Sequence, residues 1–178
     1  MHGVGLVRGI NVGPTTRVAK QQLVDAFEEA GLVDVRTFLA SGNIVFDADR
    51  APGESERRAV EAGIEARSGV AARVLLITEQ EFRRIADANP LLDAGDDFSK
   101  LVVTFVGADL PDGVKVPPSD ELAPELVRLG TRAVYQWCPL GVSKSKLPAS
   151  FWKSVGEVAT GRNWRTVLKL LEELDTRN

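Results

Sequence analysis

Three short polar strings interrupt otherwise apolar sequence: LVRGINVG at residues 6–13, FLASGNIVF at 38–46 and GRNWRTVLKL at 161–170. Each puts Arg, Asn, Ser or Gly where a strand or a helix start is expected, and that is costly unless those groups have partners. Arg8 alternates with Val4, Leu6 and Ile10 on one face of a strand. A guanidinium buried there needs a carboxylate, backbone carbonyls or a ligand anion, and its planar fork suits carboxylate and phosphate. Gly9, Asn11 and Gly13 follow, and glycines at that point let successive N–H groups face an anion. Arg162-Asn163, with Arg165 close behind, opens the last helix, where free N–H groups and the positive end of the dipole also favour an anion. Arg8, Asn11, Ser41, Asn43, Lys146, Arg162 and Asn163 therefore form the candidate donor set for a small anionic ligand.

None of the strings spells a reaction. The Gly9–Gly13 stretch lacks the Gly-Lys-Ser/Thr of a phosphate-binding loop and the G-x-G-x-x-G of a dinucleotide fold. Ser41 as a nucleophile needs a base. The single histidine, His2, sits at the chain start and is expected to be poorly held, which leaves Lys144 or Lys146 for that role. Nothing in the spacing brings either lysine to Ser41. The acidic residues show no paired spacing on one face, so neither a metal nor a glycosidase site has support. Trp164, Tyr135, Trp137 and Trp152 read as core.

The 178 residues, 44% hydrophobic and 26% charged, fit one soluble domain or two small ones sharing a core. One cysteine, Cys138, excludes a disulfide framework and a Cys/His zinc site. No apolar stretch approaches the ~20 residues of a membrane helix, so a cytoplasmic, membrane-free protein is expected. A net charge of −3 argues against a general nucleic-acid binder. Six basic residues against one Glu157 in 140–170 make that segment the exception.

The elements that must position these residues follow from periodicity. Residues 4–11 read as a strand, and Leu23, Phe27 and Ala30 mark a helix that Gly31 can close. Residues 33–39 and 43–47 read as two strands joined by Ala40-Ser41-Gly42. Ser55 is the expected cap of a helix to about Ser68, with a strand at 71–77 after it. That βαββαβ order is ferredoxin-like. Beyond it, Thr78 and Glu81 suggest a capping box, 100–106 a strand, and the four-proline stretch 107–124 a linker or long loop. A hairpin at 125–129 and 132–138, a short helix near 150–155 and a last helix capped by Asn163 complete a second α+β unit. The expected division is 1–78 and 79–178.

Leu6 to Gly13, Phe38 to Phe46, Ser145-Lys146-Leu147 and Arg162 to Leu170 resemble the strings of a bacterial family described only as domain of unknown function 1697. Pro14 and Gly161 depart from its usual glycine and threonine. The resemblance implies an α+β fold of two ferredoxin-like subdomains and supplies no activity, cofactor or catalytic residue. The functional expectation is a small anionic ligand held in a cleft between the subdomains by the donor set above. The alternatives are an enzyme acting on a phosphorylated or nucleotide-like substrate, and a protein- or nucleic-acid-interaction module.

Overall fold

A computed structural model of the chain describes residues 1–39 and 42–177. The chain divides into two compact units, Met1–Arg83 with the segment from Leu170 onward, and Arg84–Lys169. Each holds a four-stranded antiparallel sheet, and both are ferredoxin-like.

In the first unit, strands β1 (His2–Arg8), β2 (Val33–Phe38), β3 (Asn43–Asp47) and β4 (Arg73–Thr78) lie in the order β2-β3-β1-β4. Helices α1 (Lys20–Glu29) and α2 (Glu54–Ser68) cover one face. Alternation in β1 and β3 presents Val7, Ile44 and Phe46 to Leu23, Phe27, Val60 and Ile64. Gly5 is required by this packing, because a Cβ there would lie 2.4 Å from the Phe27 ring. The chain leaves α1 through a Schellman turn: Gly31 is left-handed at φ 87°, and Leu32 N–H donates to the Phe27 carbonyl. Ser55 does not cap α2. The cap position falls on Gly53, whose N–H donates to the Glu56 carboxylate, and Ser55 lies inside the first turn.

The second unit opens with helix α3 (Glu79–Asp87), which crosses the unit boundary and whose Glu81 N–H donates to Thr78 Oγ1 as its capping signal implies. Strands β5 (Leu101–Val106), β6 (Leu126–Leu129), β7 (Ala133–Trp137) and β8 (Ala159–Asn163) take the order β6-β7-β5-β8. The crossover helices are short: α4 (Ser119–Leu122) is one turn and α5 (Ala149–Val155) two. The proline-rich stretch is a packed loop rather than a linker, with Val114 and Leu122 buried beside Val127, Val134 and Phe151. The strand β8 was not expected. ATGRN carries no alternation, and as an edge strand it is specified by its ladder to β5 rather than by its own residues. Helix α6 (Trp164–Asp175) follows directly, with Trp164, Val167, Leu170 and Leu174 buried. Among the described residues no helix is long and apolar enough to cross a membrane.

Candidate functional site

In the first unit the polar strings meet at the C-terminal end of β1. Arg8 is the last residue of the strand and is exposed, so the expected mid-strand burial is corrected. The cause is Gly9, which at φ 84° turns the chain out of the sheet. Register places Arg8 directly opposite Arg73 at the start of β4, and Arg73 is also exposed. A Glu61 carboxylate oxygen lies 3.7 Å from Arg73 Nη1. Asn43 is fully buried on the same sheet face as Arg8 and donates through Nδ2 to the Phe38 carbonyl, pinning the β2–β3 turn. Gly42 closes that turn at φ 72°, and a side chain there would press on Val7 and Ile10. Ser41 lies outside the described residues.

Asn11, at φ 54°, staples the loop after β1. Its Oδ1 accepts the Val18 N–H at 3.0 Å, and its Nδ2 donates to the Val18 carbonyl at 3.3 Å. The Asn11 N–H donates to the Thr16 carbonyl, and the Val12 N–H to Thr16 Oγ1. Asn11 and Asn43 thus shape the backbone around Arg8.

His2 is better held than its place in the chain implied. Its Nδ1 lies 2.6 Å from Asp47 Oδ1, and Arg177 Nη1 donates to the same oxygen at 2.8 Å. The Arg177 side chain is 4% exposed, and its Nη2 donates to the Asp34 carbonyl. Burial works to raise the Asp47 carboxyl, but hydrogen bonds from His2 and Arg177 outweigh it and hold the group below the ordinary aspartate range. The signal missed in the sequence was long-range: Asp47 and Arg177 are 130 positions apart.

In the second unit the donor set divides. Asn163 ends β8 and caps α6, its Oδ1 accepting the Thr166 N–H at 3.0 Å and the Thr166 hydroxyl at 3.1 Å. Arg162, one residue earlier, lies on the opposite sheet face. It is half-buried, and its Nη1 donates to Thr160 Oγ1 at 2.7 Å and to the Gly161 carbonyl at 2.8 Å. Burial pushes its guanidinium down to about 10. Lys146 sits elsewhere, on the loop before α5. Its backbone N–H donates to Glu125 Oε2 at 2.9 Å and its Nζ to the Ala123 carbonyl at 2.6 Å.

That contact leads to a residue the sequence reading missed. Glu125 is 6% exposed, and its Oε1 accepts Gln136 Nε2 at 2.9 Å and Ser145 Oγ at 2.7 Å. Gln136 and Asn163 both pair with Val102 and so share the helix-covered face. Two ladder spacings, about 10 Å, separate them. Cys138 is buried beside this group, and burial, reinforced by the Glu125 charge, pushes its thiol up to about 12. It is a structural thiol, not a nucleophile.

A family model described as "Protein of unknown function (DUF1697)" matches residues 1–135. The chain belongs to this family. Its first two polar strings and the Glu125 residue fall within the matched span, whereas Lys146, Arg162 and Asn163 lie beyond it. The conserved bacterial protein SP0830 from Streptococcus pneumoniae has a similar structure over 98% of both chains, with a TM-score of 0.68 at 21% identity. At that identity the likeness carries the fold alone. No curated protein matches the chain.

Proposed function

We infer that this DUF1697 protein binds a small anionic ligand, bearing phosphate or carboxylate, with Arg8 as its principal anchor. The observation that carries this reading is the direct opposition of Arg8 and Arg73 across β1 and β4, both exposed. Like charges facing each other on adjacent strands are destabilising. Glu61 meets Arg73 only at 3.7 Å, and an anion lying between the two guanidiniums adds two charge-assisted hydrogen bonds. The adjoining loop, fixed by Asn11 and opened by Gly9, lies at the same end of the sheet. Arg162 is a second cation suited to an anion, because partial burial strengthens any charge pairing it makes. Asn11, Asn43 and Asn163 act by fixing backbone, while Lys146 belongs with Glu125.

Binding is favoured over turnover for a geometric reason. His2, whose ring is oriented by a carboxylate, is the best-held acid–base group, but it lies at the opposite end of β1 from Arg8. Six residues of strand put about 20 Å between them. A nucleic-acid partner is also disfavoured, since Arg165 and Lys146 in the basic segment already bond within the chain, to Asp97 and to Ala123.

A thermal-shift series with inorganic phosphate, nucleotides, sugar phosphates and citrate tests the reading. A ligand at a hundred times its Kd adds about 2.7 kcal/mol. For a chain of this size that is a rise of roughly 5–10 °C. The rise should vanish in Arg8→Ala and weaken in Arg73→Ala. If both variants bind as the parent does, the arginine pair is not the anchor.

A further inference from the structure

Beside the arginine pair stands a carboxylate that a plain anion does not use. Glu61, on α2, has a side chain only 14% exposed. Its Oε1 accepts the Val74 N–H at 2.9 Å and Arg57 Nη1 at 2.6 Å. Val74 lies on β4, an edge strand, so this N–H is taken by the covering helix instead of by a further strand. Arg57 is fixed in turn by Glu54, through Nε at 2.9 Å and Nη2 at 2.6 Å. The Glu61 carboxylate is therefore held in one orientation before any ligand arrives, which lowers the ordering cost of binding there.

The second oxygen, Oε2, is the one that meets Arg73. At 3.7 Å from Arg73 Nη1 it forms an ion pair, but the distance is too long for a hydrogen bond. Oε2 takes no hydrogen bond among the described residues, and it is not sealed from solvent. An open acceptor thus lies beside the donors of the exposed Arg73 at the start of β4. A bare phosphate or carboxylate uses the donors and sets its own charge against Glu61. A ligand whose anion has a hydroxyl on a neighbouring carbon uses both, because the anion accepts from Arg73 while the hydroxyl donates to Oε2. We propose that Glu61 selects an anion that carries its own hydrogen-bond donor, such as a polyol phosphate, over a plain one. The inference rests on the anion reading of Arg8 and Arg73 and names the ligand class of that site.

The test compares two probes of equal charge, glycerol 3-phosphate and propyl phosphate, titrated into the 15N-labelled full chain and followed by NMR. The Val74 amide, bonded to Glu61, reports on the site. In the parent, glycerol 3-phosphate should bind about fivefold more tightly than propyl phosphate. Glu61→Gln keeps an acceptor for the Val74 N–H but puts an amide donor where Oε2 was. In that variant the two probes should bind about equally, and propyl phosphate about two- to threefold more tightly than in the parent. Arg8→Ala should weaken both probes alike. Equal binding of the two by the parent, lost in Arg8→Ala, overturns the role of Glu61 and leaves the anion reading standing. A preference that survives Glu61→Gln also overturns it, because another acceptor then makes the choice. If neither probe binds the parent at about 20 mM, the anion reading falls and this inference falls with it.

Discussion

The two units share one strand order and build it from different materials. In the first, helices of ten and fifteen residues press Phe27, Val60 and Ile64 onto the sheet, and the contact is apolar. In the second, the crossover helices shrink to four and seven residues. Of the seven buried polar or charged residues among those described, Asn43 alone belongs to the first unit, and Asn89, Thr104, Glu125, Gln136, Thr160 and Thr166 to the second. A topology that loses its helices loses the cheap apolar cover for its sheet. Loops must then be fastened by hydrogen bonds, and each loop brings backbone groups that need partners. Glu125 is the clearest case, holding Gln136 of β7 and the 145–146 loop with one side chain.

Glu125→Ala should break this arrangement most severely. It leaves the Gln136 amide, the Ser145 hydroxyl and the Lys146 N–H short of an acceptor in a buried site, and also opens a cavity. Three lost acceptors at about 1 kcal/mol or more each give a loss of about 3–5 kcal/mol. Denaturant midpoints measure the total, and amide exchange should place the first loss of protection in residues 125–147. Uniform loss across both units would mean that the staple supports the whole chain rather than one half.

The counterpart in the first unit is steric. Gly5→Ala puts a methyl group 2.4 Å from the Phe27 ring, and overpacking of this kind costs about 1–3 kcal/mol. Pairing it with Phe27→Leu should recover part of that loss, because the clash is with one ring. No conservative partner should rescue Glu125→Ala, since three donors from two separate segments depend on it. A Gly5→Ala chain as stable as the parent would show that α1 can shift on the sheet, and the contrast between the units would narrow.

These two residues also mark where the sequence was readable. β1 and β3 are visible as buried apolar runs, and α1 with its Gly31 exit and the stripe of α6 carry a helical period that reports burial. Arg8 had the right strand but was expected mid-strand rather than at its end, because alternation does not show where Gly9 turns the chain away. β8 has no period to read. Glu125 follows a proline in an ordinary acidic stretch, and its role is set by partners 11, 20 and 21 positions away. Local patterns specify elements, whereas polar staples are defined only when distant elements meet.

The same distinction between local and distant partners predicts how acid acts on each unit. Asp47 in the first and Asp97 in the second both sit below the ordinary aspartate value of 3.8. Asp97 is lowered first by the Ser99 side chain and backbone, two residues on, and such short-range bonds partly persist in the unfolded chain. Asp47 is different: burial opposes its ionisation, and the His2 and Arg177 bonds that overcome it exist only in the fold. Asp34 also meets Arg177, at 3.2 Å, so it shares the same cation. A folded pKa below the unfolded one gives stability that is present above pH 3.8 and is lost as pH falls through the folded value. The stability gap between parent and Asp47→Asn should therefore be open at pH 6 and close below about pH 4. The Asp97→Asn gap should be smaller throughout. Thermal melts of the three chains between about pH 3 and 7 decide it. A gap for Asp47→Asn that persists unchanged at the acid end would mean that the asparagine disturbs packing, and that the ionised pair with Arg177 contributes little to holding the C-terminal segment.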